Sequence, residues 1–319
     1  MTSLSATSSE SWGDTVSRSR LIALNSKAKG QQWNESDLDW TIPSAFGSPL
    51  PEDSAFALAA FQNSSLSRYG RSFWDVFRWE FQSWMITQFL SGEHAALLCA
   101  NRLLEKIPNE DAKACLACQV VDEARHVTVF TRYMNEKIPA PYPLSSAFVT
   151  ILRDALNDSR WDFAVLGMQI VVEGVALAAF RLASKTFHDE LIRRICRLAA
   201  KDEARHVSFG LLSLDGFYKT LTLSELKQRE EFVLEALNLL GKSFVLSEIW
   251  ERLGINKADG FGFMKSSSLT HEYRRAISMK VQACLGRLEL MTPVIRGHLE
   301  RFDLLSPNTP AAFQESQQL

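Results

Sequence analysis

The chain has 319 residues and a mass of 36.0 kDa, with 46% hydrophobic and 23% charged residues, which excludes a disordered, collagen-like or disulfide-scaffold protein and leaves ample apolar mass for a core. Thirty-five basic against 37 acidic residues give a formal charge of −2, too balanced for a nucleic-acid groove or an anionic membrane surface to be the main partner, so the expected ligand is a small molecule. Five cysteines, Cys99, Cys115, Cys118, Cys196 and Cys284, sit in apolar helical patterns; their odd number points to a reducing compartment, read as the cytoplasm.

Met1 to Arg20 is rich in Ser and Thr and lacks the apolar core of a secretory signal. The first 55 residues read as a largely irregular polar extension with scattered Trp33, Trp40 and Phe46. Helical spacing of apolar residues then runs from Ser72 to Lys106 and stops at Pro108. Asn109 caps a second helix with Glu110 and Asp111 in its first turn, which ends near Ile138 before Pro139, Pro141 and Pro143. A shorter helix fits Ser145 to Leu156, and two long ones fit Trp161 to Ser184 and Asp189 to Lys219. Within the first of these, Ala164 to Ala183 is as long as a membrane span but carries Gln169 and Glu173 at its middle, so no membrane partner is expected. Further helices fit Ser224 to Lys242, Leu246 to Leu253 and His271 to Met291. Between the last two, Gly254 to Thr270 reads as a connector, with a lid as the alternative. Strand signals are nearly absent, so the fold class is all-α.

The string Asp-Glu-Ala-Arg-His-Val occurs twice, at Asp122 to Val127 and at Asp202 to Val207, an offset of 80 residues. The same offset carries Glu93 onto Glu173, so each half reads as a Glu on one helix and Glu-x-x-His on the next. Helical geometry puts Glu123 with His126, and Glu203 with His206, on one face each, able to share an ion; Glu93 and Glu173 are expected to bridge. Ile86, Phe89, Leu90, Ala96, Leu97 and Ala100 surround Glu93 on its helix face, and Leu166, Ile170, Ala176, Leu177 and Phe180 surround Glu173. Ionised carboxylates in such linings cost several kcal/mol unless cations compensate them. Four carboxylates and two imidazoles suit iron or manganese and fit a Cys-rich structural zinc poorly.

This arrangement resembles the ferritin-like di-iron carboxylate superfamily, in which a Glu from each of two helices and Glu-x-x-His from each of the other two line a bundle core. The resemblance covers about Ser72 to Lys219 and implies a ferritin-like four-helix bundle with additional peripheral helices; because the site draws on all four long helices, one domain over residues 56–302 is expected, with a polar C-terminal tail over 303–319. It implies two Fe ions, or an Mn/Fe pair, on Glu93, Glu123, His126, Glu173, Glu203 and His206, with O2 as co-substrate. It further implies that Asp122 serves His206 and Asp202 serves His126, with Arg125 and Arg205 neutralising the aspartates. Departures narrow the branch. Cys115 and Cys118 form the sole Cys-x-x-Cys pair, inside a helix, unlike the two pairs of rubrerythrins. Phe130 stands where radical-generating reductase subunits place a Tyr, and Leu177 where hydrocarbon monooxygenases commonly place a Thr. Ala199 stands near where arylamine N-oxygenases carry a third His.

The expected function is an O2-activating dimetal oxygenase or oxidase that hydroxylates or N-oxygenates a small apolar or aromatic substrate. Phe89, Ala96, Leu97, Phe130, Leu177 and Phe180 are the candidate pocket residues. No dinucleotide fingerprint or cysteine-rich cluster motif accompanies the bundle, so a separate reductase or ferredoxin is the expected electron donor. A homodimer is the default assembly. The alternatives are a ferroxidase or iron-handling protein without an organic substrate, and a scaffold with a vestigial site.

Overall fold

The computed structural model of the chain describes residues 15–143, 160–243 and 245–302, with 153, 157, 158, 304 and 305. Among the described residues there is no strand, and eleven helices carry the architecture. The expected helix from Ser145 to Leu156 and the tail from Ser306 lie almost wholly outside the described residues.

Four long helices form the bundle. Helix α3, Gly70–Lys106, buries Trp74, Phe77, Trp84, Ile86 and Leu103. Helix α4, Glu110–Lys137, starts where the Asn109 side chain accepts the Ala112 N–H, and its acidic first turn complements the helix dipole. Helix α5, Trp161–Thr186, is apolar enough to pass for a membrane span, yet 83% of that window is buried inside the protein. Helix α6, Glu190–Ser213, is capped by Asp189, whose side chain accepts from the Ile192 N–H. α3 packs on α4, α5 on α6, and α4 on α6 across the middle; the apolar faces close into one continuous core.

Helix α5 is not uniform. Its stretch Leu166–Val172 winds as a π-turn that delivers the chain to Glu173, a wider winding that accommodates an extra residue and recurs at functional sites.

The N-terminal extension differs from the irregular segment expected. Helix α1, Thr15–Gly30, buries Leu21 and Ala28 and lies across α4 and α6. The short helix α2, Ala55–Gln62, and a 3-10 turn over Ser65–Tyr69 lead into α3. Beyond the bundle come α7, Leu223–Ser243, α8, Ser247–Arg252, α9, Lys257–Ser266, α10, Ser268–Arg287, and α11, Pro293–Arg301. α10 packs along α5 and covers its outer side. The segment read as a connector thus holds a helix, α9. Gly260 lets it approach the Trp250 ring: a Cβ there would lie 2.5 Å from the indole.

Candidate metal centre

Each bundle helix brings one or two of the expected ligands into the interior. Glu93 comes from α3, Glu123 and His126 from α4, Glu173 from α5 and Glu203 and His206 from α6, all buried. Their ligand atoms form two overlapping groups, Glu93 with Glu123, His126 and Glu203, and Glu123 with Glu173, Glu203 and His206. Within each group the atoms lie within 4.8 Å of one another.

The shared members are Glu123 and Glu203, whereas Glu93 and Glu173, expected to bridge, each fall in one group only. The reason lies in the packing. α4 and α6 meet in the middle, so their carboxylates sit between the two groups, whereas α3 and α5 approach from the flanks. Accordingly the Nδ1 of His126 lies 3.2 Å from Glu93, 3.4 Å from Glu123 and 3.4 Å from Glu203. The Nδ1 of His206 lies 3.0 Å from Glu123 and 3.3 Å from Glu203.

The opposite edge of each imidazole meets an aspartate from the other repeat. His126 Nε2 lies 3.0 Å from Asp202, and His206 Nε2 lies 3.3 Å from Asp122. Such contacts fix the tautomer and aim Nδ1 at the carboxylates. Arg125 reaches Asp202 at 2.9 Å and also Asp122, while Arg205 reaches Asp202 at 2.6 Å and Asp122 at 3.0 Å. Two arginines thus lie across two aspartates.

Burial and mutual repulsion shape the titration of this centre. Burial first, then the neighbouring carboxylates, hold Glu173 well above the ordinary carboxylate range. Burial likewise raises Glu93, against the pull of His126. For Glu123 burial pushes the same way, but the two imidazoles outweigh it and the carboxyl ends well below its usual range. Both histidines are driven well above their ordinary value because carboxylates outweigh the desolvation of their charged forms. The carboxylates that favour a charged imidazole would equally favour bound cations.

The donor set fits two hard or borderline cations. Oε2 of Glu173 is buried without a hydrogen-bond partner among the described residues, a costly state for a carboxylate unless a cation lies against it. All six expected ligand residues converge, and no cysteine joins them. Cys115 and Cys118 instead bond the Leu21 carbonyl and the Asn25 side chain of α1.

A cavity of about 70 Å³ opens against Glu93, Glu173 and Glu203. Phe89, Ala96 and Phe180 line it together with Trp84, Met85, Gln88 and Ala176. Leu97, Phe130 and Leu177, expected there, do not. Phe130 lies behind the wall, 5.6 Å from Phe180 between centroids, while Leu177 is buried away from the cavity and Leu97 is half-buried on α3.

Three residues of the centre escaped the sequence reading. Trp33 Nε1 donates to Asp202 at 2.7 Å, and Gln32 Nε2 donates to Asp122 at 2.8 Å; both follow α1, within the first 55 residues, whose composition predicts an irregular extension. Gln119 Nε2 donates to Glu173 at 2.8 Å and to Glu123 at 3.2 Å. Its signal was present, since it lies one turn before Glu123 on the same helix face.

No family model and no curated protein matches the sequence. Solved structures do resemble it. A structure of an R2-like ligand-binding oxidase with an aerobically reconstituted Mn/Fe cofactor is 16% identical with a TM-score of 0.54, the match covering 91% of this chain and 97% of that one. A variant of that oxidase with an anaerobically reconstituted Mn/Fe cofactor is 15% identical with a TM-score of 0.52, covering 88% and 96%. The chain therefore has a ferritin-like helical fold, with carboxylate and histidine clusters compatible with two metal ions.

Proposed function

We propose that the chain is a dimetal oxidase of the oxygenase type, acting with O2 on a small, largely apolar or aromatic molecule held against the centre. The observation that carries this reading is the cavity whose walls are apolar except where it meets Gln88 and the three carboxylates Glu93, Glu173 and Glu203. A storage site has no need of such a chamber; a substrate does. Two bound Fe ions, or an Mn/Fe pair as in the similar oxidases, supply the redox chemistry that activates O2. Hydroxylation and N-oxygenation are both compatible with the chamber.

The chain's own residues hold and orient. Asp202 and Asp122 fix the imidazoles, and the aromatic pair Phe89 and Phe180, 4.5 Å apart between centroids, presses a substrate toward the carboxylates. Apolar walls exclude water from the site, which strengthens every charge interaction inside it. Electrons are assigned to a separate donor protein, and the five free thiols favour a reducing compartment.

The test is an anaerobic Fe(II) titration of the full chain, closed by a measured pulse of O2. Saturation at two irons per chain, with O2 consumption accelerated by a small aromatic or aliphatic amine or hydrocarbon, supports the proposal. Uptake far beyond two irons, or turnover indifferent to any organic addition, points to iron handling instead. Ala176→Phe, which fills the cavity, should abolish the acceleration while leaving the two-iron endpoint in place.

A further inference from the structure

The two repeats supply matching ligands, but the residue one turn before each Glu-x-x-His differs: Gln119 on α4, Ala199 on α6. Both positions are buried. The Gln119 amide points to the flanking carboxylate of the other repeat, donating to Oε1 of Glu173 and, more weakly, to Oε1 of Glu123. Oε2 of Glu173 is left as the oxygen without a protein partner. Among the described residues, Glu93, the carboxylate of the opposite flank, is held by Nδ1 of His126 alone, the nitrogen that faces the centre and that a metal would take. Metal binding would therefore release Glu93 from His126, while Glu173 would stay tied to a neutral amide. Gln119 also keeps its own Oε1 buried without a partner, a cost the fold would avoid with an apolar side chain at this place.

We propose that Gln119 is a positioning residue that makes the two halves of the centre unequal, so that the group of Glu173, Glu123, Glu203 and His206 binds its metal ion more tightly and fills first. A preformed carboxylate spares the ordering that Glu93 must undergo on binding, and partners of this kind change metal affinity by about 10- to 100-fold. The proposal rests on the dimetal reading, and its test separates the two.

The experiment titrates the metal-free full chain with Co(II) under anaerobic conditions, followed by visible absorption, and collects anomalous diffraction from crystals given one equivalent. The wild-type chain should bind in two resolved steps, with the first ion beside Glu173 and His206. Gln119→Leu keeps the volume and loses the donor, and Gln119→Ala copies the residue of the second repeat. Either should weaken the first step by about 10- to 100-fold and spread one equivalent over both positions. Circular dichroism checks that the variants fold, and the wild-type diffraction experiment stands without them. Two ions bound with equal affinity and even occupancy in the wild type would overturn the role of Gln119 and leave the dimetal reading intact. Unchanged binding steps in both variants would do the same, and no Co(II) uptake at all would remove both readings.

Discussion

The two repeats agree in every ligand and differ in what surrounds them. One turn before Glu93 stands Phe89; its counterpart before Glu173 is Gln169. One turn after His126 stands Phe130; its counterpart after His206 is Gly210. In the first repeat the two rings lie 5.9 Å apart between centroids and fill the space beside a continuous α3. In the second, Gln169 belongs to the π-turn of α5, and a Cβ on Gly210 would lie 2.7 Å from Gln169 Cβ. The missing side chain is what lets the wider turn press against α6. A duplicated hairpin can thus keep its six acid and imidazole side chains while the packing beside them diverges: one half fills the place with the rings of Phe89 and Phe130, the other with a backbone irregularity that leads into Glu173.

The largest effect should separate shared from flanking ligands. Glu123→Ala or Glu203→Ala removes a carboxylate common to both groups, so metal content measured by atomic emission should fall close to zero. Glu93→Ala or Glu173→Ala removes a flanking ligand and should leave about one ion per chain. Equal losses in all four variants would break the distinction between middle and flank. Next in size comes Asp202→Ala, which leaves Arg125, Arg205 and Trp33 facing a void where their carboxylate was. Removing one partner of a buried ionic network costs about 3–5 kcal/mol, and urea unfolding of the metal-free protein should register a loss of that order.

Gly210→Ala probes the packing difference directly. The added methyl meets Gln169 Cβ, an atom fixed to the backbone that cannot swing aside, and overpacking of this kind costs about 1–3 kcal/mol. If thermal unfolding shows no change, Gly210 does not accommodate the π-turn.

The ligands were legible because chemistry repeats by residue type: Glu93, Glu123, His126 and their partners stand out as acids and imidazoles at helical spacing in apolar surroundings. The crossed service of His126 by Asp202 and His206 by Asp122 followed from resemblance, and the structure places those atoms together. Which carboxylates sit in the middle was not legible, because it depends on α4 meeting α6 rather than on any local spacing. The π-turn was hidden for another reason: Leu166 to Val172 is apolar on all sides except Gln169, so no periodicity marks a change of winding. Helix α1 buries only a few residues such as Leu21 and Ala28 and shows no strong stripe, so its sequence reads like a tail. In α9, Gly260 and Gly262 mimic a loop, whereas Gly260 is required by contact with Trp250.

The smallest predicted effect lies where the hairpins turn. Pro108 precedes the cap Asn109 in the first repeat, and His188 precedes the cap Asp189 in the second. The His188 backbone N–H donates to Gln82 at 2.7 Å, and its ring stands edge-on to Trp79, 4.9 Å between centroids. Burial first, and then the nearby Arg78, press its pKa down to about 4, although Asp53 and Asp75 pull the other way. In the unfolded chain the same ring titrates near the ordinary histidine value of about 6.5. Between these values the unfolded state binds the proton and the folded state does not, so stability falls as pH drops from about 6.5 to about 4. The side chain is partly exposed, so this contribution should amount to about 1–2 kcal/mol rather than the full shift. His188→Gln removes the titration, keeps the backbone bond to Gln82, and should flatten that part of the stability profile; the first repeat, with Pro108 at the same place, has nothing there to titrate. An unchanged slope in the variant would place the acid sensitivity elsewhere.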